Sequence, residues 1–416
     1  MSDNRRVPLE TITQLGVTGQ LPQPVTIDAL SDNVLLEIFN VYLDEYQFCS
    51  IGNTSGQHFH DGWHTLVHVC DRWRCVVFAS PRRLGVQVLY TIGRSVEKML
   101  DFWPALPIAI EVSGILSPWQ GTDNIISLLE HHDRVSDINL EDVPNVQLEA
   151  ITAATKKPFP ALTHLCLSSY DLPAPILPDS FLGGSAPCLQ VLVLEGISFP
   201  GLGKLLPSTT GLVELHLSDI PDSGYISPEA MVTSLSALTN LKGFALEFRY
   251  PRSQTDRASR HPPSLTPVAL PALTHLSFQG DSDYLEAIVS RIDAPLLDRA
   301  YLAFFEQSIS DTPQLRRFIS HIMTFKPPRQ ADVLLYQYVS VKLFRQDGTD
   351  YHRSLELTVS YHPQESQFSP PLRLCRSILP PLSTLERLKI DDSSGGRLKE
   401  GDIENIRWLE FFRSPL

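Results

Sequence analysis

A short pattern of hydrophobic positions, apolar-x-x-apolar-x-apolar, recurs along the chain from residue 135 onward. Most copies follow a proline or glycine by one or two residues, and the clear copies are separated by roughly 23 to 32 residues. The alternation in the second half of each copy predicts a short strand with one buried face. The seven copies lie at residues 135–140, 162–167, 189–194, 212–217, 241–246, 273–278 and 385–390.

The segments between the copies have the wider apolar spacing of amphipathic helices. The repeat length is close to the ~20–29 residues of leucine-rich repeats, in which no unit buries its apolar face alone and stacking creates a continuous core. The pattern therefore predicts an α/β fold, an irregular leucine-rich-repeat-like α/β solenoid, with a doubly wound α/β sheet as the rival architecture. Helices are predicted at 122–133, 147–154, 202–206, 228–238, 284–292 and 313–325.

Other segments of this region extend the same prediction. Residues 106–112, Leu-Pro-Ile-Ala-Ile-Glu-Val, predict a buried strand. Strands are also predicted at 333–336, 339–343 and 355–359, and the Gln346-Asp347-Gly348 turn predicts a β-hairpin between the last two. Residues 408–416 predict a final helix without a capping element, so we expect that this end docks elsewhere or that the chain stops short of its natural cap.

The region before residue 91 has a different, helical texture. Residues 1–26 show no periodicity and predict a flexible arm, residues 27–90 a small helical module, and residues 91–416 the solenoid. In the first helix Ser31 or Asp32 can cap the backbone N–H groups. A second helix is predicted from Trp63, followed by a strand at 84–90, and residues 44–62 read as a polar surface insertion. The apolar stripe of the second helix is Leu66, Val69, Cys70, Trp73 and Val77.

Composition limits the classes of function. The chain has 34 basic and 47 acidic residues and a net charge of −13, which argues against non-specific nucleic-acid binding because that needs a basic face. No stretch has the ~18 apolar residues of a membrane span, and no signal peptide is apparent. The six scattered cysteines predict buried free thiols in a reducing compartment, the cytoplasm or nucleus.

No catalytic constellation is apparent, and no cofactor is expected. The chain lacks a phosphate-binding loop with its Gly-Lys-[Ser/Thr] end, a Gly-x-Ser-x-Gly elbow and a Cys-x-x-Cys pair. His58, His60, His64 and His68 lie close in sequence, and the last two are one helical turn apart. A solvated loop and helix surface explain these histidines better than a metal site. We therefore expect a protein that is not an enzyme and binds no metal.

Two blocks of the helical module resemble the F-box. The family pattern is roughly Leu-Pro-x-Glu-[Val/Leu]-Leu-x-x-Ile-[Phe/Leu], followed after a gap by Leu-x-x-Val-[Cys/Ser]-[Lys/Arg]-x-Trp. Here residues 30–39 read Leu-Ser-Asp-Asn-Val-Leu-Leu-Glu-Ile-Phe and residues 66–73 read Leu-Val-His-Val-Cys-Asp-Arg-Trp. The departures are Ser31 in place of proline, Asn33 in place of glutamate, and the insertion at 44–62.

The resemblance, together with degenerate repeats similar to those of F-box families of mushroom-forming fungi, implies a substrate-receptor subunit of a cullin-based (SCF) ubiquitin ligase. In that family the F-box docks on a Skp-family linker protein, and through it on a cullin, while the repeats recruit a protein substrate. Neither nucleic acid nor a membrane is an expected partner. The residues that the motif assigns to the Skp-family face, or to its support, are Leu30, Val34, Leu35, Ile38, Phe39, Val69, Cys70 and Trp73.

Each of those residues has packing within the module as an alternative role. The alternative function is a repeat-based scaffold unrelated to ubiquitination, which would have partners for the repeats but none for residues 27–90. Substrate contacts are expected on the concave face, between the strand leucines. The candidates for this face are Glu214, His216, Lys242, His275 and Arg387, and the alternative for each is an ordinary solvated strand face.

Overall fold

The computed structural model divides into two compact units, Met1–Val86 and Gln87–Leu416. It describes residues 27–50, 62–81, 83–90, 96–102, 106–113, 121–251, 267–305, 312–325, 328–335, 338–347, 350–360, 378–379 and 385–392. The predicted arm at 1–26 and the predicted final helix at 408–416 lie outside the described residues.

The first unit is helical. Its three α-helices are α1 (Asp32–Ser50), α2 (Gly62–Val67) and α3 (Asp71–Ala79). Helix α1 continues past residue 44, so the prediction of an insertion that begins there is wrong for its first part. Three- and four-residue spacing brings the buried apolar residues of each helix to one side. The buried apolar side chains are Leu35, Leu36, Phe39, Trp63, Leu66, Val67, Val76, Val77, Leu84 and Val86.

The second unit is a mixed α/β structure with one large sheet. In the described part of the chain this sheet has thirteen strands, and the remaining two, β8 and β10, pair with each other. The strands are β1 (Val88–Tyr90), β2 (Ile108–Ser113), β3 (Val135–Glu141), β4 (His164–Ser168), β5 (Val191–Glu195), β6 (Glu214–Ile220), β7 (Gly243–Phe248), β8 (Val268–Ala269), β9 (His275–Gly280), β10 (Ile292–Asp293), β11 (Arg299–Phe304), β12 (Gln330–Leu335), β13 (Tyr338–Asp347), β14 (Asp350–Ser360) and β15 (Arg387–Asp392).

Strand order in the large sheet follows chain order from β1 to β7 and continues with β9, β11, β14, β13, β12 and β15. Every pair from β1 to β11 is parallel, and so is the pair of β11 with β14. Only β14, β13 and β12 pair in antiparallel fashion. The helices of this unit are α4 (Val96–Phe102), α5 (Thr122–Leu129), α6 (Asn145–Ala154), α7 (Leu202–Leu205), α8 (Pro228–Leu235), α9 (Ser282–Val289) and α10 (Pro313–Phe325).

The core lies between the helices and one face of the sheet. Along β4, β5 and β6, buried leucines alternate with residues that remain partly accessible. The buried positions are aligned between strands, since Leu165 is paired with Leu192 and Leu192 with Leu215. They pack with helix side chains such as Leu148 and Met231 in one hydrophobic cluster. The opposite sheet face carries mainly polar residues, with Val191 and Val193 among them.

Each of the seven predicted pattern copies contains a strand, at β3, β4, β5, β6, β7, β9 and β15. The hairpin predicted at Gln346-Asp347-Gly348 is confirmed by the antiparallel pairing of β13 and β14 up to Asp347 and Asp350. The predicted helix at 284–292 is too long at its end, because Ile292 pairs with Val268.

The predicted strand at 84–90 is shorter in the structure. Only Val88–Tyr90 is a strand, and it pairs with β2 in the large sheet. The unit boundary therefore lies after Val86, a few residues before the predicted boundary at residue 90.

Cysteine placement corrects one expectation. The described cysteines are free thiols, as predicted, but they are not buried: Cys70, Cys75 and Cys188 are exposed and Cys166 is partly accessible. Among the described helices, none combines the length and the apolar character that a membrane crossing requires.

The alternation along β5 leads to a stability prediction. We expect Leu192→Ala to cost about 2–5 kcal/mol, because Leu192 is fully buried and its truncation leaves a cavity. Val193→Ala, on the partly accessible face of the same strand, should cost less than about 1 kcal/mol. Urea unfolding followed by circular dichroism measures both; equal losses would contradict the orientation of the strand.

Candidate functional site

The start of α1 is fixed by side chains of its own unit. Ser31 Oγ accepts a hydrogen bond from the backbone N–H of Val34 at 3.4 Å, which is the capping role predicted for this serine. Arg72 of α3 donates to the carbonyl oxygen of Leu30 at 2.5 Å and to Asp32 Oδ1 at 2.8 Å. These contacts hold the start of α1 against α3.

Helix α1 has one buried and one exposed apolar face. Leu35 and Phe39 are fully buried. Val34, Ile38 and Val41, the α1 stripe, are 44%, 43% and 58% exposed. Their three- and four-residue spacing places them on one side of the helix. The α1 stripe is thus an apolar helix face that its own unit leaves accessible.

The structure separates the residues assigned to the Skp-family face. Val34, Ile38, Val69 and Cys70 are exposed, whereas Leu30 and Trp73 are half-buried. Leu35 and Phe39 belong to the core of the unit, where they are out of reach of a partner. Phe39 packs on Trp73 with ring centroids 4.7 Å apart, so these two residues support the helix rather than form its outer surface. For the residues of α1, the side of the helix on which each one lies explains whether it is exposed or buried.

The predicted second helix is in fact two helices, which corrects the predicted stripe. Cys70 adopts an extended conformation with φ −160° and ψ 170°, and it separates α2 from α3. Arg74 Nε donates to the carbonyl oxygen of Val67 at 3.1 Å, which satisfies a carbonyl at the end of α2. Val69 is consequently exposed at the turn instead of packing with Leu66.

The histidines of this region do not form a metal centre in the part of the chain that the structure describes, where no group of three or more His, Cys, Asp or Glu residues could hold an ion. The His64 ring stacks on Trp63 with centroids 3.8 Å apart, and His68 is exposed. His58 and His60 lie outside the described residues.

A second accessible surface is the polar face of the large sheet. Because the strands are parallel and in register, side chains of neighbouring strands line up in rows that cross the sheet. One row, the entry row, passes near the starts of the strands. Its members from β3 to β11 are Asp137, His164, Val191, Glu214, Gly243, His275 and Arg299.

The first two members of the entry row form an ion pair. His164 Nδ1 lies 2.9 Å from Asp137 Oδ1. The hydrogen bond with Asp137 raises the pKa of His164 above its ordinary value of 6.5, although partial burial opposes the rise. Asp137 therefore favours the protonated form of His164, and the partner of that charge is a side chain of the protein itself.

A groove of about 670 Å³ lies further along the same face, between β6 and β14. Gly243 and Ala245 of β7 line it, and their small size leaves space between the larger side chains of β6 and β9. The carboxylate of Glu214 lies over Gly243, since a Cβ there would be 1.7 Å from Glu214 Oε2. His216 Nε2 is 3.2 Å from the same oxygen.

The far side of the groove carries Tyr301 and Glu356. Glu356 is only 7% exposed; Lys342 Nζ lies 3.2 Å from its Oε1, and Ser340 Oγ donates to the same oxygen at 3.3 Å. Burial raises the pKa of the Tyr301 hydroxyl, and the Glu356 carboxylate raises it further. The groove thus combines an aromatic ring with charged groups of both signs, and it has the volume of a ligand site.

Cys166 lies in the row next to the entry row, and its surroundings make its thiol unreactive. Burial raises the pKa of its thiol to about 11, and the carboxylates of Glu141 and Glu195 contribute to the rise. A thiol in such surroundings remains protonated and is a weak nucleophile.

Of the five predicted concave-face residues, Glu214, His216 and His275 line the groove. Lys242 is exposed just before β7, and Arg387 begins β15 on the other side of the mixed part of the sheet. Arg299 and Tyr301 were not predicted to lie on this face, because strand β11 was not recognised in the sequence. Its signal was present: Leu297, Ala300 and Leu302 keep the pattern, with alanine at the middle apolar position.

No family model matches the chain, and no curated protein matches it.

The Asp137–His164 pair leads to a prediction about pH. A histidine whose folded pKa is raised adds stability that is fully present below its ordinary value of 6.5 and is lost as the pH rises through the raised value. Asp137→Asn should therefore destabilise the protein at pH 5.5 but not at pH 8.5. Because the His164 side chain is about half exposed, we expect at most about 1 kcal/mol.

Urea unfolding of both proteins at the two pH values and equal ionic strength provides the measurement. His164→Gln, which removes the titrating group, should abolish the pH dependence of the Asp137→Asn effect. An effect of the same size at both pH values would contradict this role of the pair.

Proposed function

We propose that the protein is a non-catalytic substrate receptor of a cullin-based (SCF) ubiquitin ligase, acting in the cytoplasm or nucleus. Its helical unit would dock on a Skp-family linker protein, and the strand-and-helix region would recruit a protein substrate. The observation that carries the proposal is the exposed α1 stripe, which coincides with the first block of the F-box-like sequence.

The stripe fits a partner helix for physical reasons. Three aliphatic side chains at helical spacing, accessible on a unit with a small core of its own, are the kind of surface that a groove or helix of another protein covers. Val34 and Ile38 are both residues that the F-box resemblance assigns to this face. Covering them would remove apolar surface from water at roughly 25 cal/mol per Å².

The architecture of the second unit supports the recruiting half of the proposal. We interpret its sequential, parallel strands and intervening helices as the irregular leucine-rich-repeat-like solenoid, because a doubly wound sheet reverses its strand order at a switch point. One face of such a sheet is covered by helices, and the other presents rows of polar side chains to a partner. The groove between β6 and β14 interrupts those rows.

The test is co-purification of the full chain with a Skp-family linker protein. We expect Val34→Asp and Ile38→Asp each to weaken binding about tenfold or more, because each places an unpaired carboxylate in an apolar contact. Both side chains are exposed, so the free protein should stay folded. Leu35→Asp is unsuitable, since this buried residue would disrupt the unit itself.

Val146→Asp is the matched control. Val146 is an exposed valine, 77% accessible, on α6 of the other unit, and its replacement should leave binding unchanged. Failure of the wild-type chain to bind the linker would refute the receptor function and favour the repeat scaffold. Full binding by both α1 variants would show that the stripe is not the docking face.

A further inference from the structure

The connections that follow strands β3 and β4 lie side by side, because the two strands are parallel neighbours and end at the same edge of the sheet. Hydrogen bonds join these connections. The backbone N–H of Asn145 donates to Asp171 Oδ2 at 2.7 Å, and its side-chain amide donates to the carbonyl oxygen of Pro173 at the same distance. Val146 and Leu172 are chain neighbours of these bonded residues, so both belong to one stretch of surface.

Large apolar side chains are concentrated on this surface and remain accessible. Tyr170, Leu172 and Ile176 come from seven consecutive residues and are 56%, 75% and 59% exposed. Val146, at the start of α6, is exposed as well. Single exposed apolar residues are ordinary, but a group of them on one surface marks a site of interaction. We call Val146, Tyr170, Leu172 and Ile176 the carboxyl-edge patch.

The patch is held in its exposed position by the loop that carries most of it. Leu177 is buried, and its backbone N–H donates to the carbonyl oxygen of Ser198 at 2.8 Å. Because successive side chains of an extended segment point in opposite directions, Ile176 then points outward. The Tyr170 hydroxyl donates a hydrogen bond to the carboxylate of Glu195. A partner therefore meets apolar side chains that are already ordered, which reduces the entropy lost on binding.

The charged residues around the patch are acidic. At the carboxyl ends of β3 to β6, in residues 141–146, 168–176, 195–198 and 219–224, every charged residue is an aspartate or a glutamate. These residues are Glu141, Asp142, Asp171, Glu195, Asp219 and Asp222.

The cation at the next strand end does not balance this charge. Arg249, which follows β7, is engaged with Asp219, whose Oδ1 lies 2.8 Å from its Nε, and its side chain is only 12% exposed. Burial raises the pKa of the Tyr170 hydroxyl, and the carboxylates of Glu195, Asp142 and Asp219 raise it further. The patch is therefore an apolar surface in a negative potential.

The sign of this potential selects the class of partner. The phosphates of nucleic acids and of anionic lipids are repelled by such a surface, whereas lysine and arginine side chains are attracted to it. The alkyl stems of these basic side chains can also pack on apolar surface while their charged ends stay beside a carboxylate. A protein segment that contains both aliphatic and basic residues matches the patch in both respects.

We propose that the carboxyl-edge patch docks a basic protein segment, whose aliphatic side chains cover Leu172 and Ile176 and whose lysine or arginine side chains lie beside Asp171 and Glu195. The patch belongs to the second unit, whereas the α1 stripe belongs to the first. That the docked segment is part of a recruited substrate rests on the proposed receptor function, but the docking itself does not.

Fluorescence anisotropy with three labelled nonapeptides tests the proposal on the full chain. The peptides are three repeats of Gly-Lys-Leu, of Gly-Gln-Leu, which lacks the charge, and of Gly-Lys-Ser, which lacks the aliphatic side chain. We expect the wild type to bind the Gly-Lys-Leu peptide at least about tenfold more tightly than either of the others. This binding should weaken as the ionic strength rises, because salt screens exposed charges.

Three variants localise the site. Leu172→Ser and Ile176→Ser should each weaken binding of the Gly-Lys-Leu peptide about threefold or more, because each removes apolar surface from the contact. Asp171→Asn should weaken it about as much and reduce its salt dependence. The amide oxygen of asparagine can still accept the hydrogen bond from the Asn145 N–H, so this variant removes the charge and keeps the loop in place.

Leu296→Ser and Asp293→Asn are the matched controls. Leu296 is an exposed leucine and Asp293 an exposed aspartate, both between β10 and the start of β11 in the same unit or at its border. Neither replacement should change peptide binding, since neither residue lies at the carboxyl ends of β3 to β6.

The proposal is overturned if the wild type does not prefer the Gly-Lys-Leu peptide to both other peptides, or if the three patch variants lose no more binding than the two controls. Urea unfolding of each variant establishes that any loss reflects the patch and not the fold. The assay contains no Skp-family protein, so its outcome is separate from that of the linker test: either can fail while the other succeeds.

Discussion

The structure of the second unit depends on the burial of one apolar face of the sheet against a layer of helices. A single strand and one helix cannot exclude water from these apolar side chains, so neighbouring strands and helices are needed to cover them. Leu165, Leu192 and Leu215 lie directly opposite one another on successive strands and are fully inaccessible. This continuous row sets the register of the sheet, because a shift of one residue would expose every leucine of the shifted strand.

The same register orders the accessible face. Once the leucines are aligned, the residues between them are aligned too, and polar side chains distant in sequence become neighbours across the strands. Asp137 meets His164, and His275 meets Arg299, through this alignment alone. The groove arises where two small residues, Gly243 and Ala245, occupy consecutive outward positions of β7. The fold thus places the site, and single side chains decide its chemistry.

Much of this could be predicted from the sequence, for a physical reason. The apolar-x-x-apolar-x-apolar pattern is itself the burial pattern of a strand and the residue that leads into it, so its copies contain strands. Strand β11 was missed because Ala300 is too small to stand out as an apolar position, although it is buried beside Leu302. The break between α2 and α3 was missed because Val69 and Cys70 continue the apolar spacing while the backbone turns at Cys70.

The division of α1 into a buried and an exposed face, and the pairing of the entry row, required coordinates. Val34 and Leu35 are adjacent and both aliphatic, and only the orientation of the helix makes one a surface residue and the other a core residue.

Residues 160–165 and 271–276 both read Pro-Ala-Leu-Thr-His-Leu, and they make the same point about the sheet. Their identical sequences give identical local hydrogen bonds, yet one histidine has a carboxylate beside it and the other an arginine. That difference comes from Asp137 on the strand before the first segment and from Arg299 on the strand after the second, which act through strand pairing. Because the apolar positions of each strand must stay buried, polar and charged side chains vary from strand to strand mainly on the accessible face. The chemistry that distinguishes one part of the sheet from another therefore lies in the side chains of its accessible face.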